Sequence, residues 1–234
     1  MTPLLSLALH RKSFPGQPTL LEDVVLRVEP GERIVIMGPS GIGKTTLLAI
    51  LAGLDAAFDG TLQRGTGQRP RTGVMFQAPR LMPWLTVGEN IALVLKGRDT
   101  GKRVAQLLAK VELPGLQNAF PKELSGGMQR RVALARAIAA DPDLLILDEP
   151  FVSLDDALSL RLYQRVLDTL APSVAVIMAT HDLGEAITLA DRIVFLAGRP
   201  AHVRAQTVVP GHRPRTVGDV AAIEKSLRPL LQEN

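Results

Sequence analysis

The chain has 234 residues and a mass of 25.2 kDa, enough for one large domain or two lobes sharing a core. With 46% hydrophobic residues, 21% charged residues and a net charge of +4, wholesale disorder is excluded, and the basic excess is too small to mark a dedicated nucleic-acid binder. Cysteine is absent, which removes disulfides, thiolate metal sites and thiol nucleophiles together and fits a reducing compartment.

The first apolar stretch, Leu5–Leu9, reads as a strand. It precedes the basic run His10-Arg11-Lys12, the reverse of the order in a secretory leader. No apolar run approaches the ~18 residues of a membrane span, so a cytoplasmic protein is expected. A second strand, Arg33–Met37, leads through a glycine-rich turn into a helix over Lys44–Ala52. The Gly-, Arg- and Thr-rich stretch Gly53–Gln77, with a turn at Asp59-Gly60, predicts a short antiparallel hairpin region that includes a strand at Gly73–Phe76. From about residue 86 to 142 the pattern is mostly helical, with helices over Gly101–Val111 and Met128–Ala140, and reads as a lobe inserted into the core. Then come strand Leu144–Leu147, helix Leu158–Leu170, strand Val174–Ala179, helix Leu183–Ala190 and strand Ile193–Ala197. In the tail, Arg213-Pro214-Arg215 reads as a solvated loop, and Val220–Leu231 as a short terminal helix. The runs Ile34–Met37, Leu144–Leu147 and Val174–Met178 are almost wholly apolar, as central strands covered on both faces must be. Strands separated by helices imply parallel pairing through right-handed crossovers, hence an α/β fold.

Two sites stand out against this frame. Gly38-Pro39-Ser40-Gly41-Ile42-Gly43-Lys44-Thr45 fits the pattern G-x-x-x-x-G-K-[ST], between a buried strand and an amphipathic helix. Glycines let backbone N–H groups turn inward around phosphate oxygens, and the helix N-terminus adds its positive dipole. Lys44 can reach β- and γ-phosphates, while the Thr45 hydroxyl can ligate Mg²⁺. The second site ends the strand Leu144–Leu147 in two acids, Asp148 and Glu149. A doubly wound sheet delivers such strand ends to the ligand crevice. Asp148 is then placed to hold Mg²⁺ through water, and Glu149 to orient and deprotonate an attacking water.

Between these sites, Leu124-Ser125-Gly126-Gly127-Met128 stands directly before a helix. With it, the chain resembles the ATP-binding cassette (ABC) ATPases from about residue 5 to 198. The resemblance continues through Gln77 after a strand, Ser153-Leu154-Asp155, and Thr180-His181-Asp182 after another strand. It implies one ABC ATPase domain of P-loop type. Its RecA-like core would span about 1–85 and 143–234, with a small antiparallel β region, and a helical subdomain would span about 86–142. It implies ATP and Mg²⁺ as ligands, with Glu149, His181, Gln77 and Lys44 in catalysis. Phe14 and residues 38–46, through Thr46, would bind ATP, and Thr45, Gln77 and Asp148 would attend the metal. Ser125, Gly126, Gly127 and Asp155 would touch the nucleotide of a second copy, so that two copies sandwich two ATP molecules head to tail. The family usually has Tyr or Trp where Phe14 stands, and Gln where Met128 stands.

Cassettes of this kind power a separate permease. The segment Arg80–Val87 holds the only Trp, Trp84, beside Leu and Met. Two readings are open: an exposed anchor for a permease helix docking near Leu81–Leu85, or a buried residue at the lobe junction. Pro83-Trp84, Phe120–Leu124 and Asp148-Glu149-Pro150-Phe151 look most like bacterial importer cassettes of the nitrate, taurine and aliphatic sulfonate group. By that resemblance the chain sits on the cytoplasmic face of the inner membrane with permease subunits and a solute-binding protein, and engages no nucleic acid. The alternatives are a cassette of an exporter or cell-envelope complex, and a non-transport ABC ATPase acting on nucleic acid or ribosomes. Against the last, only one P-loop is present, and the stretch from Gln77 to Ser125 is too short for a long coiled-coil insertion.

Overall fold

The computed structural model describes residues 2–65, 67, 69–95, 99–151, 156–213 and 215–229, with the side chains of 156–159 excepted. The elements, in chain order, are β1 (Leu5–Ser13), β2 (Thr19–Val28), β3 (Arg33–Met37), α1 (Lys44–Leu51), β4 (Asp59–Arg64) and β5 (Thr72–Met75). They continue with α2 (Val87–Ala92), α3 (Thr100–Lys110), α4 (Gly126–Ala139), β6 (Leu144–Asp148), α5 (Asp156–Asp168) and β7 (Ala175–Thr180). The last are α6 (Leu183–Leu189), β8 (Arg192–Ala197), β9 (His202–Val208) and α7 (Val217–Leu227). Two compact units result: residues 1–70 with 173–234, and residues 71–172.

The first unit carries an antiparallel sheet in the order β2-β1-β4, and the strands β7-β3-β8-β9, of which β3 runs parallel to β7 and β8 while β9 is antiparallel to β8. In β3, Ile34, Val35, Ile36 and Met37 are all buried, as a strand with neighbours on both edges and helices over its faces requires. In β1 the buried face runs Leu5, Leu7, Leu9 and then changes phase. Against β4, Leu9 pairs with Gly60 and Arg11 with Asp59, an extra residue on β1 that re-aims the following side chains. Lys12 therefore points inward, 2% exposed.

Among the described residues, the stretch Gly53–Gln77 forms no hairpin. Its first strand, β4, pairs antiparallel with β1, and its second, β5, pairs parallel with β6. The polar, half-exposed β4 forms an edge of the antiparallel sheet beside β1, whereas β5 lies along the wholly buried β6. The tail also departs from the solvated loop expected of it. Arg215 is buried, and its guanidinium donates to the carbonyls of Ile187, Ala190, Val209, Pro210 and Gly211 at 2.8–3.2 Å. Arg213 forks onto Asp191 at 2.9 and 3.1 Å, and Asp191 accepts the backbone N–H of Arg33 at 2.9 Å. The charges are consumed by the end of α6 and the start of β8 and β3.

In the second unit β5 and β6 run parallel, with Thr72 opposite Leu144 and Met75 opposite Leu147. All five residues of β6 are buried. Gly73 lets α4 come close: a Cβ there would stand 2.2 Å from the Ala137 carbonyl oxygen, so no larger residue fits. Helix α2 opens on a reciprocal cap, in which Glu89 N–H donates to the Thr86 hydroxyl at 3.2 Å and Thr86 N–H to the Glu89 carboxylate at 2.7 Å. Helix α3 buries Val104, Leu107 and Leu108 at the i, i+3, i+4 spacing of one face. Among the described residues no helix is long and apolar enough to cross a membrane.

Candidate nucleotide site

In the first unit the glycine-rich turn joins β3 to α1. Gly43 precedes the helix at φ +109°, where an added Cβ would meet Leu21 at 2.9 Å, so the position is closed to side chains on both counts. The Lys44 ammonium, 5% exposed, donates back to the carbonyls of Gly38 at 2.9 Å and Pro39 at 3.2 Å. The loop is thereby drawn around its own cation, while Pro39, Ser40, Gly41 and Thr45 face solvent and Ile42 and Thr46 are half-buried. The first turn of α1 holds no acidic residue, and its cap offers no side-chain acceptor. A positive helix end and a lysine thus face the same loop, which is the chemistry of an anion receptor.

His181 leaves the end of β7, where Thr180 lies opposite Met37 of β3. The glycine-rich loop and His181 accordingly start from neighbouring strand ends. The imidazole is exposed, and a tight box holds its backbone. The Thr180 hydroxyl donates to the Glu185 carboxylate and accepts from Asp182 N–H at 3.1 Å, and the Asp182 carboxylate caps α6 by accepting from Glu185 N–H at 2.8 Å. Phe14 lies in the turn after β1, 38% exposed, its carbonyl accepting from Gln17 N–H at 3.0 Å.

The second unit repeats the device. Gln77 follows β5 and Asp148-Glu149 closes β6, on paired strand ends. The Gln77 amide donates to the Glu149 carboxylate at 3.2 Å, and Asp148 is 4% exposed. Glu149 sits at φ +44°, a left-handed conformation costly for a side-chain-bearing residue and one that turns its carboxylate off the strand line. Arg130 of α4 donates to the Glu149 carbonyl at 3.3 Å. Arg136, on the same helix, donates to the consecutive carbonyls of Pro79 and Arg80 at 2.9 Å each, and burial pulls its guanidinium below the usual value. Arg80, at φ +47°, stacks on the Phe76 ring at 3.9 Å. Below, the phenol of Tyr163, pushed up by burial, donates to the Met75 sulfur at 3.4 Å. The sequence pattern did not disclose these supports. Arg130 and Arg136 stand in the sequence as ordinary helix charges, with nothing to tell which carbonyls they reach.

Helix α4 begins at Gly126, two residues before the expected start, because the Ser125 hydroxyl accepts from Met128 N–H at 3.3 Å and caps it. Ser125 and Gly126 are exposed and Gly127 half-buried. Asp155, with Ser153 and Leu154, lies outside the described residues. Trp84 is 71% exposed, which decides against a buried residue at the lobe junction. Its loop is rigidly held. Asn90, fully buried, accepts from Met82 N–H at 2.7 Å and donates to the carbonyls of Met82, Leu85 and Thr86 at 3.0–3.1 Å.

The family model described as ABC transporter matches residues 21–152. The chain is 44% identical over 220 residues to the aliphatic sulfonates import ATP-binding protein SsuB 2 of Burkholderia lata, covering 92% of this chain and 80% of that one. It is 42% identical over 226 residues to SsuB 1 of Pseudomonas aeruginosa, covering 92% and 90%. Among solved structures, the dimeric ATP-binding cassette MJ0796 in a post-hydrolysis state bound to ADP and Pi superposes with a TM-score of 0.76 at 28% identity, covering 89% of this chain and all of that one. An α/β frame, a glycine-rich anion loop and a capped Ser-Gly-Gly helix thus agree with the likeness over nine-tenths of the sequence, and the chain belongs to the ABC transporter family as one of its ATPases.

Proposed function

We propose that the chain energises import of an aliphatic sulfonate across a bacterial inner membrane, working from its cytoplasmic face. The observation that supports hydrolysis is the contact of Gln77 with a left-handed Glu149 at the end of a buried strand. Lys44 balances charge on the β- and γ-phosphates, and the backbone of residues 38–46 cradles them. Glu149 orients the attacking water and takes its proton, Gln77 holds that carboxylate in line, and His181 contacts the γ-phosphate. Phe14 stacks on adenine. Ser125, Gly126, Gly127 and Asp155 complete the nucleotide site of a second copy.

Among the described residues no three His, Asp or Glu side chains converge, so a divalent ion would complete its shell from the nucleotide and water, which suits Mg²⁺. Thr45, Asp148 and Gln77 would hold it, and when bound it would neutralise charge on the phosphates. We assign residues 1–85 and 143–234 to the nucleotide-binding core and 86–142 to the helical subdomain. Trp84 and its neighbours Leu81–Leu85 receive the permease, which works with a solute-binding protein.

The cargo assignment is supported by the names of the relatives. Deleting the gene is expected to abolish growth on an alkanesulfonate as sole sulfur source and leave growth on sulfate intact, with rescue by the wild type and not by Lys44→Ala. Normal growth on alkanesulfonates together with lost use of taurine or nitrate would reassign the cargo.

A further inference from the structure

Lys12 is an unusual residue to find 2% exposed, because an ammonium taken out of water must be repaid by partners. It has three. Its Nζ donates to the Ala57 carbonyl at 2.7 Å, pairs with the Asp55 carboxylate at 2.7 Å, and lies 4.6 Å from the centroid of the Phe14 ring. Asp55 in turn accepts from Ala57 N–H at 2.9 Å, which folds the loop after α1 around the ammonium. The loop that follows the phosphate-binding helix and the turn that carries Phe14 are thus fastened to one cation.

We infer that Lys12 is a positioning residue for the nucleobase: it holds the Phe14 ring from one face, so that the other is presented ready for a purine. This rests on the reading of Phe14 as the adenine-stacking residue. A Phe in an exposed turn would otherwise divide its time among rotamers, and ordering it would weaken binding. A desolvated ammonium under the ring removes that cost before the nucleotide arrives. The extra residue of β1 between Leu9 and Arg11 aims Lys12 there, where an unbroken alternation would have sent it to solvent.

The test compares the affinity of the full chain for ATP and for inorganic tripolyphosphate, which lacks the base. Lys12→Met is expected to weaken ATP roughly 3- to 10-fold and leave tripolyphosphate unchanged, with Lys12→Arg close to wild type. In a Phe14→Leu background, Lys12→Met should have no further effect on ATP. The double variant Lys12→Met/Asp55→Asn removes the uncompensated carboxylate and serves if the single variant folds poorly. Equal losses for both ligands, or an undiminished effect in the Phe14→Leu background, would make Lys12 a structural tie only and overturn the inference. Unchanged ATP affinity in Phe14→Leu itself would instead remove the premise that Phe14 meets the base.

Discussion

At Glu149 the chain accepts a left-handed backbone that most residues avoid, in a turn fixed from two sides. Arg130 holds its carbonyl and Gln77 its carboxylate. Such strain, of roughly 1–3 kcal/mol, persists where surrounding contacts over-determine it, commonly at reacting groups. Glu149→Gln keeps size and hydrogen bonding but cannot take a proton. It is expected to lower kcat by ~10²-fold or more while ATP still binds, as measured by steady-state phosphate release beside a nucleotide-binding titration. Turnover near the wild-type rate would remove Glu149 from this role. The residue itself was plain in the sequence, as an acid after an apolar run. Its supports were not, because a hydrogen bond from Arg130 or Arg136 to a distant carbonyl leaves no local pattern.

Among the elements, those with a strong apolar period were legible within two residues of their ends: β3, β6, β7, α1 and α3. Strands β2 and β9 were not. In β2 the alternation Val24, Leu26, Val28 is preceded by Glu22 and Asp23, with Asp23 at φ +48°, and β9 is a half-exposed strand whose pattern resembles a loop. The tail departs from its expected form for a related reason: Arg215 reads as a surface charge until the carbonyls at the end of α6 are folded around it. Arg215→Met should leave those carbonyls unsatisfied and cost about 3 kcal/mol, a drop in melting temperature of roughly 6–12 °C by calorimetry. An unchanged melting temperature would show that the buried fork is dispensable. The loop held by Asn90 makes the opposite forecast for Trp84. Trp84→Ala should shift the melting temperature by no more than about 2 °C, since the ring is mostly in water, and weaken capture of the permease by ~10-fold or more in co-purification. Marked destabilisation of the isolated subunit would contradict the exposed anchor.

At the scale of the whole molecule, Lys44 and His181 belong to the first unit, and Gln77, Asp148 and Glu149 to the second. Each set follows a pair of adjacent parallel strands, β3 with β7 and β5 with β6. Ser125-Gly126-Gly127 opens a separate helix, whose exposed N-terminus is assigned to the nucleotide of a second copy. The central claim is therefore that ATP is cleaved at sites shared by two chains. Single-turnover ATP cleavage by an equal mixture of Ser125→Arg and Glu149→Gln subunits tests it most directly, because one round of chemistry does not require both sites to fire. Each parent alone should be inactive. In the mixed dimer one site regains an intact serine and an intact glutamate, and the mixture should give about a quarter of the wild-type burst. A mixture no more active than the mean of its parents would contradict the account.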